Sequence, residues 1–75
     1  MILFLLKRRD TIGYDEYQSH VVAADDESTA RLMAAEHPGD EGATIWFAPS
    51  TEAMAIGLAV EGTKAGIVLA SFCAG

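Results

Sequence analysis

The sequence predicts a small α+β domain. A sheet of about four to five strands, antiparallel or mixed, carries one main helix on one face, in the order β-β-α-β-(short α)-β-β. Three observations lead there. Residues 1–7 and 67–72 are apolar at odd and even positions alike, as in strands covered on both faces. One segment, about residues 26–37, carries a capped helical pattern. Turn residues cut the rest into short pieces. Seventy-five residues, 51% of them apolar, make one domain spanning 1–75.

Met1 to Lys7 forms the first strand. Residues 10–16 are polar around Gly13 and read as a turn or loop. Tyr17 to Ala24, with Val21 and Val22 at its centre, forms the second strand and pairs with the first as a hairpin. Asp25 or Asp26 caps the helix, and Asp26 and Glu27 place negative charge in its first turn, where the backbone dipole favours it. Ala30, Met33, Ala34 and His37 share one helical face, with Leu32 flanking it. Pro38-Gly39 stops the helix, and an acidic, Gly-rich loop follows over 39–42. Thr44 to Ala48 has strand propensity. Ser50 reads as the cap of a short helix over 51–56, ended by Gly57. Leu58-Ala59-Val60 and Ile67 to Phe72 read as a final hairpin with a loop over 61–66.

The formal net charge is −6, and its layout is uneven. All eleven acidic residues lie between Asp10 and Glu61, where Arg31 is the only base, so that interval carries −10. Such a chain lacks the clustered Lys and Arg that phosphate contacts need, which argues against direct nucleic-acid binding and for a basic protein surface as partner. The single cysteine, Cys73, precludes an intramolecular disulfide, and the longest uncharged run is eleven residues, too short for a membrane helix. No basic residue precedes the opening apolar run and Lys7-Arg8-Arg9 ends it, so it does not read as a signal segment. The expected location is the cytoplasm.

The segments Leu3-Phe4-Leu5-Leu6, Arg9-Asp10, Gly13-Tyr14-Asp15-Glu16-Tyr17, Val21-Val22-Ala23-Ala24, Ala30-Arg31 and Gly66 to Phe72 with Ala74-Gly75 resemble small uncharacterised proteins of bacteriophages and prophages. The resemblance spans nearly the whole chain and carries no catalytic motif. Some small acidic phage proteins are anti-CRISPR proteins or other inhibitors of host defence, and the resemblance implies that class of function in a bacterial host.

Candidate contact residues fall in three groups. Tyr14, Asp15, Glu16 and Tyr17 offer two aromatics and two carboxylates in one loop, suited to contact area and to pairing with Arg. Asp25, Asp26 and Glu27 can mimic a row of phosphates, set against ordinary helix capping. Asp40 and Glu41 extend the acidic surface from the far end of the helix. Lys7-Arg8-Arg9 reads as the soluble end of a buried strand, and Trp46-Phe47 as core. His20, His37 and Cys73 match no metal-ligand spacing, and no phosphate loop is present. No acid, base and nucleophile occur as a set, so no enzyme, cofactor or metal is expected.

The expected function is therefore an anti-defence inhibitor, without catalysis. It would occlude nucleic acid from a basic surface of a host complex such as a CRISPR effector. The alternative is a small homodimeric structural or assembly module. Self-association is expected in either case, because one main helix cannot cover both faces of a sheet whose strands are apolar on both.

Overall fold

The computed structural model describes residues 1–74. Four strands, β1 (Ile2–Arg8), β2 (Glu16–Ala24), β3 (Thr51–Leu58) and β4 (Gly66–Cys73), form one sheet in the order β3-β1-β2-β4. All three pairings are antiparallel. One helix, α1 (Glu27–Glu36), and a 3-10 turn over Thr44–Phe47 cover one face. The α+β class and the single main helix are as the sequence predicts.

The β1–β2 hairpin is the centre of the sheet. Its register pairs Phe4 with Val22 and Leu6 with His20, and these four side chains point to the helix side and are buried. On β3, Ala53 pairs with Leu6 and Ala55 with Phe4. Helix α1 presents Ala30, Ala34 and Ala35 to this surface, all buried. Three alanines add little volume, so the helix lies close to the sheet, and the fully buried indole of Trp46 supplies the bulk. Met33 is only half-buried and Leu32 is exposed. The helix ends one residue short of His37, which is exposed beyond its last turn.

Arg31 fastens this layer. Its guanidinium donates to the carbonyls of Trp46 (2.9 Å) and Thr51 (2.9 Å), and to Glu27 Oε2 (3.0 Å). These bonds hold the 3-10 turn and the start of β3 against the helix. Thr51, also fully buried, donates its hydroxyl to the Ile45 carbonyl at 2.7 Å.

Four local expectations fail, because tertiary pairing overrides local pattern. Thr44–Phe47 is a 3-10 turn rather than a strand, since Trp46 must turn inward to fill the core and Pro49 interrupts an extended run. Residues 51–56 are strand rather than helix. The free edge of β1 accepts them as part of β3, and alternation puts Ala53 toward the core and Met54 away from it. Residues 58–60 and 67–72 do not pair. β3 and β4 occupy opposite edges, and the chain between them passes the ends of the central hairpin, where Ala59 N donates to Met1 O at 3.0 Å. β4, expected to be covered on both faces, is an edge strand with Val68 and Leu69 exposed.

Close packing of the alanine face makes it intolerant of added volume. Ala34→Leu is expected to destabilise the domain by about 1–3 kcal/mol, read as a lower midpoint in a urea titration.

Candidate functional site

The end of the sheet where β1 turns into β2 is built around Arg8. This residue follows Phe4 and Leu6 at strand spacing, so its side chain enters the core face, with only 3% of it exposed. A buried guanidinium needs acceptors, and the following loop supplies them. Nε and Nη2 grip the two oxygens of Asp10 at 2.9 and 2.6 Å. Nη1 donates to Glu16 Oε1 (3.0 Å) and to the Tyr17 carbonyl (2.9 Å). Glu16 Oε1 also accepts the Gly13 amide at 3.0 Å. The hydrogen bond from Arg8 holds the Asp10 carboxyl below the ordinary carboxylate range.

The loop is thereby closed around Arg8, and its tip points outward. Asp15 adopts a left-handed conformation, φ 57°, unusual for a residue with a side chain. Backbone bonds fix it on both sides: Asp15 N donates to Cys73 O (2.6 Å), and Asp15 O accepts from Asp40 N (2.7 Å). The contact with Asp40 depends on Gly39. A Cβ there would come within 2.5 Å of the Asp15 carbonyl oxygen and 3.1 Å of the Phe72 ring. Tyr14, 72% exposed, stands beside this junction.

Glu41 is engaged from within. Its Oε2 accepts the indole N–H of Trp46 and its Oε1 the Tyr17 amide, each at 3.0 Å. Burial pushes its carboxyl up, but hydrogen bonds from Trp46 and from the amides of Tyr17, Glu41 and Gly39 outweigh this and hold it below the ordinary range. Tyr17 packs inward, its ring 4.7 Å from that of Phe72 and 4.9 Å from that of His20. An extra residue in β2 at Gln18 lets Tyr17 and His20, three apart, face the same side.

The structure therefore divides the sequence-predicted site residues. Tyr14, Asp15, Glu16, Tyr17, Asp40 and Glu41 meet at one end of the domain. Of these, only Tyr14, Asp15 and Asp40 have side chains that are exposed and free of hydrogen bonds or ion pairs among the described residues. Asp25, Asp26 and Glu27 lie at the other end of β2, roughly 30 Å away along the strand. There Asp26 Oδ1 caps the helix by accepting Thr29 N at 2.8 Å, and Glu27 pairs with Arg31. The three acidic groups thus lie at two separate ends, and four of their seven carboxylates already have partners within the fold.

Sequence reasoning missed Arg8, Asp10 and Gly39. Arg8 had a readable signal, its strand parity with Leu6. Gly39 had none, since the contact it permits is with a residue 24 positions earlier. Of the basic step, only Arg8 is buried; Lys7 is exposed and Arg9 pairs with Glu52 at 2.8 Å. Trp46 is core as expected, but Phe47 is half exposed. Among the described residues, no three His, Cys, Asp or Glu side chains gather to hold a metal ion. Among the described residues, no helix is long and apolar enough to cross a membrane. No family model, curated protein or solved structure matches the chain.

Gly39→Ala is expected to cost about 1–3 kcal/mol, with loss of amide-exchange protection at Asp40 and Asp15 before the rest of the sheet. A second expectation concerns His20, buried between Tyr17 and Trp46 with neither ring nitrogen hydrogen-bonded. Burial pushes its pKa below the ordinary 6.5, against a smaller opposing pull from Glu41. The unfolded chain takes up this proton more readily than the folded one. The His20 contribution is thus fully present above about 6.5 and is lost as pH falls toward the folded value. Stability between pH 7 and 5 should fall by at most about 1.4 kcal/mol per pH unit from this group, and His20→Phe should flatten that part of the profile.

Proposed function

We propose that this chain is a non-enzymatic binder. Its Tyr14–Asp15–Asp40 tip docks on a basic protein surface that handles nucleic acid and so excludes nucleic acid from it. The observation that carries this reading is the tip's construction. A non-glycine residue is held in the left-handed region by backbone bonds on both sides, with a free tyrosine and two free carboxylates around it. Such a conformation costs of order 1 kcal/mol or more and persists only where its surroundings fix it. A rigid tyrosine flanked by carboxylates loses little entropy on docking and suits Arg-rich surfaces. A phage origin is part of this proposal, and with it a bacterial defence complex, such as a CRISPR effector, is the class of target to test first.

The reading differs from the broader acidic surface in which residues it uses. Glu16, Asp26, Glu27 and Glu41 are tied to partners within the fold, so charge reversal there would damage the domain before it touched a ligand. The test is a pull-down from bacterial lysate at low and high salt with the intact chain as bait. Nucleic-acid-handling proteins should be retained at low salt and released as salt rises, since exposed charges are screened beyond about 10 Å at 0.1 M. The pair Asp15→Lys and Asp40→Lys should abolish retention, while Asp25→Lys leaves it intact. Tyr14→Ala should weaken binding by roughly tenfold or more, mainly through faster dissociation. Retention that ignores salt and the tip variants would refute the proposal.

A further inference from the structure

Among the described residues, no element packs over the face of the sheet opposite α1. Strand register shows what stands on it. One row runs across all four strands, Met54–Leu5–Val21–Leu69, and is apolar throughout. Half-buried Leu3 extends it on the side toward the β3–β4 connection, next to Ala23, which is already fully buried within the chain. Leu5 and Val21 are half-buried by their neighbours, whereas Met54 is 45% and Leu69 66% exposed. Further exposed apolar residues, Ile56 and Val68, flank the row on the two edge strands.

We infer that a second copy of this chain covers this face, giving a two-fold dimer in which two such sheets pack face to face. Three features select that occupant. The first is charge. The protein carries −6 overall, yet the charged side chains on this face are Lys7 and Glu52, opposite each other by register, and Arg9, which pairs with Glu52, so the face holds almost none of the acidic excess. The rest of the acidic excess lies at the two ends and on the helix side, so two like-charged copies can meet here without strong repulsion. A basic partner would find almost nothing to pair with.

The second is area. Four strands about 4.8 Å apart and seven to nine residues long present roughly 500 Å² in projection, and more in accessible surface once side chains corrugate it. That approaches the scale of about 800 Å² per partner at which specific dimers form, and lies in the upper part of the range of about 300–600 Å² for the largest apolar patch of a monomer, which is often functional. The third is the state of the edges. Ladder register slips on both edge strands, at Ile56 in β3 and at Val68 in β4. Such bulges interrupt the row of free backbone groups and disfavour edge-to-edge addition, which leaves the face as the contact. Aligned sheets would cross at about −30°, some 10 Å apart.

Sedimentation equilibrium on the full chain tests this, with Leu69→Glu and Met54→Glu as variants. Both positions are exposed in the single chain and lie outside its core, so neither variant should disturb its circular dichroism. The wild type should show twice the 8.0 kDa chain mass. Each variant should raise the dissociation constant roughly a hundredfold or more, because it buries an unpaired charge. Tyr14→Ala should leave the dimer intact. A wild type that stays monomeric at several hundred micromolar overturns the inference, including one that instead binds lipid vesicles. So does a dimer that both glutamate variants leave unchanged, which would place the contact at an edge or on the helix side.

Discussion

The buried Arg8 guanidinium is the interaction on which the shape of one whole end of the molecule depends. A charge taken out of water is tolerated only with matched acceptors, and here the loop after β1 and the first two residues of β2 provide them. Asp10, Thr11 and Glu16 fold back onto the fork, and the Tyr17 carbonyl closes it. With the inner side of the loop occupied in this way, Tyr14 and Asp15 are left on the outside. The Asp15 backbone can then reach both β4 and the segment after the helix. Position and stiffness of the candidate site are thus consequences of satisfying one cation.

Arg31 plays the complementary part on the helix layer, gathering carbonyls from the 3-10 turn and from β3. Between the two arginines lies a run of three rings, Tyr17, His20 and Trp46, which joins Phe4, Leu6 and Val22 in filling a core that the helix lines with alanines. Glu41 joins this stack to the tip, since it holds the Trp46 indole and the Tyr17 amide at once. The acidic composition consequently has two populations. Some carboxylates, Asp10, Glu16 and Glu41 among them, are structural acceptors with cations or N–H groups in contact. Others, Asp15, Asp25 and Asp40, face water. Net charge does not distinguish them.

Pattern was legible where an element's own residues decide its form. The hairpin was readable from its apolar runs, and the helix from Asp26 and Pro38-Gly39. The acidic tip was readable as a polar loop around Gly13 that holds two tyrosines. What could not be read depended on distant partners. Thr51–Leu58 has the composition of a short helix and becomes a strand because β1 has an unfilled edge. Trp46 leaves its extended run because the alanine face needs bulk. Gly39 matters only because residue 15 passes within contact of it. The apolar character of β1 and β4 on both faces was visible, but it signified different things. In β1 it marks a central strand. In β4 it marks an edge strand whose outer side chains the single helix cannot reach.

The sheet order has a consequence for how the domain assembles. The central hairpin is the most local part, yet it is flanked by strands that come last in the chain. Glu16 pairs with Cys73 across 57 residues of sequence, and Ile2 with Leu58 across 56. Loop closure over such separations must precede much of the stabilising contact, so a high contact order and slow folding are built into the topology. On a ribosome the first hairpin would emerge early, with both its edges bare until β3 and β4 follow. Such an intermediate exposes the same Leu5 and Val21 that the finished fold leaves uncovered, and crowding among nascent chains would make it sticky.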